Sequence, residues 1–193
     1  MTDKIINLNS NPGDWEELRL LVKNYSFEFG NFVLSSGKES TYYFDGKQVT
    51  LSPRGAHLLS KIIIDKIKDL KIDAIGGLTI GADPIVGAVA VSAYLAGLAD
   101  LKLFIVRKEP KKYGKCKYIE GPPLKKGNRV VIVDDVITTG GSIIKAINQV
   151  RDLGCEVVKV IALVDREEGG TEAIKKINVE VDPVFRIGDF IKK

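Results

Sequence analysis

The residues of this chain whose types and spacing could do chemistry lie within positions 130–142, VVIVDDVITTGGS. Two adjacent carboxylates, Asp134 and Asp135, precede Val136 and Ile137 and then Thr138, Thr139, Gly140, Gly141 and Ser142. Three hydroxyls and two residues without side chains let backbone N–H groups approach an anion closely, which is the composition of a phosphate cradle. Two neighbouring Asp residues are costly before such a loop unless they meet groups that need them, such as ribose hydroxyls or a hydrated Mg²⁺. The competing reading is an ordinary strand ending in a solvated Asp-Asp turn. The loop is not of the Walker type, having no Gly-Lys-Ser/Thr, and not a Gly-x-Gly-x-x-Gly dinucleotide turn.

These residues need elements to hold them. Residues 130–133 form a β-branched run too short for a helix, and read as a strand buried on both faces of a parallel sheet. Ligands of such sheets lie at the carboxyl ends of the strands. After the loop, Ser142 suits an N-cap, Ile143, Ile147 and Val150 form one apolar face, and Gly154 is a stop signal. The cradle would then sit at the positive end of a helix.

Upstream, Asn11-Pro12 opens an amphipathic helix, residues 25–34 read as extended, and alternating aromatics through Lys47 suggest a hairpin with its turn at 35–40. That hairpin can equally be packing alone. Ser52-Pro53 caps a helix through Leu70, with Leu59, Ile63, Ile67 and Leu70 on one face. Residues 72–77 read as a central strand feeding a second small-residue loop, Leu78 to Pro84, and a helix to about Gly97, with Pro84 at its first position. A third strand, 103–106, is followed by residues 107–126, which lack apolar periodicity and are lopsidedly basic. A structureless insertion of that length reads as a lid over polyphosphate or, alternatively, as a solvated loop. Residues 157–164 are another buried strand, with Asp165 and Arg166 on the same rim as Asp134. Arg166 could fork onto a planar anion or make a surface salt bridge. The segment 179–187 reads as an edge strand, followed by a short helix.

Composition narrows the classes. A chain of 193 residues suits one α/β domain with a substantial core, and no apolar run approaches a membrane span. The N-terminus has an early acid and no apolar core before a cleavage site, so no signal peptide is expected and a cytoplasmic location is. A net charge of +4 is too small to argue for nucleic acid. Cys116 and Cys155 show no metal-ligand spacing and read as free thiols. With His57 the only histidine, nucleophile systems that need His and metal sites built on several His are excluded.

The 130–142 motif resembles the phosphoribosyl pyrophosphate (PRPP) motif of type I phosphoribosyltransferases, and four further segments resemble the orotate phosphoribosyltransferase family from Phe29 to Arg166. Phe29-Gly-x-Phe-x-Leu-x-Ser-Gly-Lys with Ser40-Thr-Tyr-Tyr-Phe-Asp is similar to the family's substrate segment, implying base contacts near Tyr43 and Phe44. Gly77-Leu-Thr-Ile-Gly-Ala-Asp-Pro resembles its pyrophosphate loop at Thr79 and Ile80. Arg107-Lys108-x-x-Lys111 resembles its catalytic lid, and Asp165-Arg166-x-Glu-x-Gly the segment that grips orotate, with Thr138 touching the same base. This chain has Tyr113 where the family's lid usually has His, and Ile80 and Ser35 where some members have Lys.

The resemblance implies a type I phosphoribosyltransferase-like α/β core, a mostly parallel sheet flanked by helices, over residues 51–187 of a single domain spanning 1–193. A small N-terminal hood of helix and hairpin, 1–50, and a long mobile catalytic loop, 107–126, complete it. It implies PRPP held by Arg107, Lys108, Lys111, Tyr113, Thr79, Ile80 and residues 134–142, and orotate held by Thr138, Arg166, Tyr43 and Phe44. Lys108, Lys111, Asp134 and Asp135 would be catalytic, with the two lysines acting across a homodimer interface. Mg²⁺ would arrive on PRPP or pyrophosphate with no direct protein ligand. No nucleic-acid or membrane partner is expected. A transferase for another nucleobase, or a non-catalytic PRPP-sensing regulator on the same fold, are the alternative readings.

Overall fold

The structure, a computed structural model, describes residues 10–33, 39–110 and 118–191. In chain order the elements are α1 (Pro12–Tyr25), β1 (Phe27–Val33), β2 (Glu39–Phe44), α2 (Lys47–Thr50), α3 (Pro53–Ile67) and β3 (Ala74–Leu78). There follow α4 (Ala82–Leu95), β4 (Lys102–Val106), β5 (Ile119–Glu120), β6 (Arg129–Ile137) and α5 (Gly141–Arg151). The chain continues through β7 (Glu156–Asp165), α6 (Gly170–Lys175), β8 (Glu180–Val181) and β9 (Phe185–Arg186) to a 3-10 turn at Ile187–Asp189.

Seven of the described strands form one sheet in the order β5-β4-β3-β6-β7-β8, with β9 also beside β7. All pairs are parallel except β4 with β5. The β-branched run at 130–133 explains why both faces are covered, because successive side chains point to opposite faces. Val131 and Val133 enter a core shared with α1, α3 and α4, whereas Val130 and Ile132 enter a second core beneath α5 and α6. At about 1.5–3 kcal/mol for each fully buried Val or Ile side chain, these two layers are the main favourable term fixing β6 at the centre.

Local side-chain caps set the starts of α1 and α3. Asn11 caps α1 in a reciprocal box with Asp14, and the Ser52 hydroxyl accepts from the Gly55 N–H at the start of α3. The helix at α3 ends at Ile67 rather than Leu70, and α4 starts at Ala82, which places Pro84 inside its first turn rather than at its first position. β1 and β2 form the expected antiparallel hairpin; of the turn expected at 35–40, residues 39 and 40 belong to β2 and residues 35–38, including Ser35, lie outside the described residues. The hairpin is anchored through Phe27, whose ring contacts Phe44 and Phe190.

The segment 107–126 departs from the expected structureless loop at its ends. Ile119 and Glu120 pair antiparallel with Val106 and Ile105, and the Arg107 N–H donates to the Tyr118 carbonyl. Ile119 packs against the α5-side core, which gives this short ladder an apolar reason to form. The tail contributes two short strands beside β7 instead of one.

Candidate functional site

Because β3 and β6 are parallel neighbours, their carboxyl ends bring the 78–81 loop beside the 138–142 loop. Between them lies a cavity of about 290 Å³. Asp134, Asp135, Val136, Thr138, Thr139, Gly140, Gly141 and Ser142 line it from one side, Thr79 and Ile80 from the other, and Lys108 and Lys47 close it. The strand β6 runs through the acidic pair to Ile137, longer than its apolar run suggested. Ile137 is the exception among the expected loop contacts: its side chain is fully buried in the α5-side core, so only its backbone is available to a ligand.

Asp134 and Asp135 are 5% and 4% exposed. Both approach Gly81 so closely that a Cβ there would stand 2.2 Å from Asp134 Oδ1 and 2.6 Å from Asp135 Oδ1. Only a residue without a side chain fits between the two loops at that point. Asp134 accepts from the Asp135 N–H at 3.0 Å and from the Ser142 hydroxyl at 3.1 Å. Burial, and next the adjacent Asp135 charge, push the Asp134 carboxyl up to about 7 against those hydrogen bonds.

Ser142 is not the N-cap of α5: the helix begins at Gly141, the cap position is Gly140 at φ 80°, a left-handed conformation suited to glycine, and Ser142 lies in the first turn with its hydroxyl donating to Asp134. The turn is secured by the Gly170 N–H, which donates to the Thr138 carbonyl at 3.0 Å. The leading N–H groups of α5, which have no intrahelical acceptor, consequently open at the cavity.

Sequence reasoning missed Lys47. Its ammonium lies 2.8 Å from Asp45 Oδ1 and 3.2 Å from Asp135 Oδ2. Burial works against the ammonium, but the bonds to Asp45 and Asp135 outweigh it and hold its pKa above the ordinary lysine value. The available signal is the Asp45-Gly46-Lys47 triplet closing the hairpin; nothing local says that it meets a residue 88 positions away.

On the β3 side, the Thr79 hydroxyl donates to Asp83 at 2.7 Å, the Thr79–Ile80 peptide is cis, and Ile80 is 62% exposed. Lys108 lines the cavity of its own chain, and its carbonyl accepts from the Lys145 ammonium. Arg107 lies beside it in an adjoining cavity, with Thr79 and Lys108 common to both, and pairs with Glu120 at 3.4 Å. Lys111 and Tyr113 lie outside the described residues.

The residues expected at the base do not line this cavity, apart from Thr138. Arg166 is 8% exposed, pairs with Glu168 at 2.8 Å, and has a buried Nε without an acceptor among the described residues. Its guanidinium lies over the Tyr42 ring, a second partner that the sequence did not reveal. Phe44 is buried in the core against Phe27, and Tyr43 is exposed with its ring near Phe32. The strand alternation explains this split: Tyr42 and Phe44 face inward, and Tyr43 outward.

Among the described residues no cluster of three or more His, Cys, Asp or Glu can hold a metal by itself. Asp135 is paired with Lys47, and Asp134 accepts from the Asp135 N–H and the Ser142 hydroxyl, so an Mg²⁺ at this cavity would be held mainly by substrate oxygens.

The family model described as phosphoribosyl transferase domain matches residues 46–188. The chain is 44% identical over 179 residues to an orotate phosphoribosyltransferase of Aquifex aeolicus, covering 91% of this chain and 97% of that one. A crystal structure of Mycobacterium tuberculosis orotate phosphoribosyltransferase with Fe(III) dicitrate is similar at TM-score 0.80 and 36% identity, covering 92% and 98% of the two chains. The same enzyme in complex with PRPP is similar at TM-score 0.76 and 34% identity, with the same coverage.

Proposed function

The chain belongs to the orotate phosphoribosyltransferase family, and from that membership we propose how its cavity performs the family's reaction. It transfers the phosphoribosyl group of PRPP to orotate, giving orotidine 5′-monophosphate and pyrophosphate, a pentosyl transfer in de novo pyrimidine biosynthesis. The observation that carries the residue assignment is the convergence of the acidic pair, the 138–142 loop and the Thr79–Ile80 turn on one cavity.

In our reading the 5′-phosphate sits on the Thr138–Ser142 backbone and hydroxyls at the start of α5, where N–H groups and the helix dipole favour an anion. Asp134 and Asp135 take the ribose hydroxyls and face the sugar as it becomes oxocarbenium-like. Pyrophosphate leaves toward Thr79, Ile80, Arg107 and Lys108, with Lys111 and Tyr113 assigned to the same role by family likeness. Mg²⁺ carried on PRPP would neutralise charge that accumulates on the departing pyrophosphate. Orotate is oriented by Arg166, whose unpaired Nε suits a carboxylate, by Thr138, and by the hairpin at Tyr43 and the Phe44 backbone. Positioning the ring nitrogen in line with C1 contributes the rest.

We further read the enzyme as a cytoplasmic homodimer. Exposed Val91, Tyr94 and Leu95 on α4 supply apolar surface for such an interface, and Cys155 is a free thiol, in keeping with a reducing compartment. No helix of the described residues is long and apolar enough to cross a membrane. Because Lys108 borders its own cavity, action across the interface rests on Lys111 and on family likeness.

The test is orotate consumption followed by ultraviolet absorbance with PRPP and Mg²⁺, with adenine, hypoxanthine, xanthine and uracil in parallel. Loss of orotate that requires both PRPP and metal is expected. Asp134→Asn combined with Asp135→Asn should abolish it while leaving a cooperative melt; turnover of a different base, or full activity of the double variant, would overturn the assignment.

A further inference from the structure

Asp134 and Asp135 are neighbours with opposite surroundings. Neutral donors, the Asp135 N–H and the Ser142 hydroxyl, occupy Asp134, whereas Asp135 Oδ2 meets a cation. That cation is itself held: the Lys47 ammonium bonds Asp45, and the Asp45 carboxylate also accepts from the Lys47 N–H at 3.1 Å and the Gln48 amide at 3.2 Å. The first turn of α2 is thereby braced against the acidic pair. Lys47 also lines the cavity, and Asp135 Oδ1 points toward Gly81, which lines it too.

We propose that Lys47 is the positioning residue of the acidic pair: by holding Asp135 through Oδ2 it fixes the carboxylate at the cavity wall and leaves Oδ1 as the oxygen that accepts from a ribose hydroxyl of PRPP. A carboxylate that is 4% exposed and beside a second carboxylate would otherwise lose more by desolvation than a sugar hydroxyl returns. Lys47 acts through Asp135, and the inference rests on the PRPP-site reading above.

The experiment measures PRPP affinity by titration calorimetry and the two KM values for wild type, Lys47→Met, Lys47→Arg, Asp135→Asn and the Lys47→Met/Asp135→Asn double variant, each checked by thermal melting. Lys47→Met should weaken PRPP about 10- to 100-fold, the range typical when a partner that orients a ligating group is lost. The orotate KM should move far less, and Lys47→Arg should recover most of the loss. In the Asp135→Asn background Lys47→Met should cost little more, because both changes remove one interaction. Wild-type PRPP affinity in Lys47→Met, or losses that multiply in the double variant, would overturn the positioning role while leaving orotate transfer intact. A wild-type protein that binds no PRPP would overturn both.

Discussion

The guanidinium of Arg166, at the carboxyl end of β7, lies 5.3 Å from the ring centre of Tyr42 on the N-terminal hairpin. This contact joins the hood to the rim of the sheet, and with the Glu168 pair it holds the arginine fork in place. Arg166→Lys keeps the charge but loses the fork, so kcat/KM for orotate should fall about 10- to 100-fold, the equivalent of one or two charge-assisted hydrogen bonds. Tyr42→Leu should raise the orotate KM in the same direction by a smaller factor. Steady-state kinetics with each substrate varied separately would check both, and an effect confined to the PRPP KM would contradict the assignment.

Gly81 separates the two carboxylates from the loop after β3, with no room for a methyl group. Gly81→Ala should therefore force the loop or the acidic pair to move, destabilising the fold by about 1–3 kcal/mol, as overpacking does. PRPP binding should be lost with it. Denaturant unfolding and calorimetry would test this; a variant that binds PRPP normally would show that the loop yields without disturbing the acids.

Asp134 has its folded pKa raised from an ordinary 3.8 to about 7. Between those values the folded protein binds more protons than the unfolded chain, so this group's contribution is fully present below about pH 4 and is lost as pH rises toward 7. Asp134→Asn should flatten that part of the stability profile. Urea midpoints measured from pH 4 to 8 would reveal it, and parallel profiles for the two proteins would contradict the expectation.

Lys61 and Asp14 form a largely buried ion pair at 2.8 Å that ties α1 to α3 on the far side of the sheet from α5. Without Lys61, Asp14 keeps the Asn11 N–H and some contact with water, so Lys61→Ala should cost about 1–3 kcal/mol. The pair is remote from the cavity residues, so turnover by the fraction that remains folded should persist at its normal rate. Thermal denaturation alongside initial-rate assays would separate the two effects.

Much of this protein is legible in its residues alone. The strand at 130–133, the capped starts of α1 and α3, and the acid-hydroxyl-glycine loop follow from periodicity, capping and loop chemistry, which act between positions a few residues apart. Other features depended on which distant segments the sheet brings together. Ser142 could have capped α5 by its local chemistry, but the glycine turn starts the helix at Gly141, and within that first turn the Ser142 hydroxyl donates to Asp134. Ile137 belongs to the loop in sequence and to the core in space, because strand alternation continues past the acidic pair. The meeting of Lys47 with Asp135, of Tyr42 with Arg166, and of Gly81 with both carboxylates requires the order β4-β3-β6-β7 and the packing of the hairpin upon it. Short-range propensities cannot encode such pairings, since their energy is realised only after the intervening chain has been ordered.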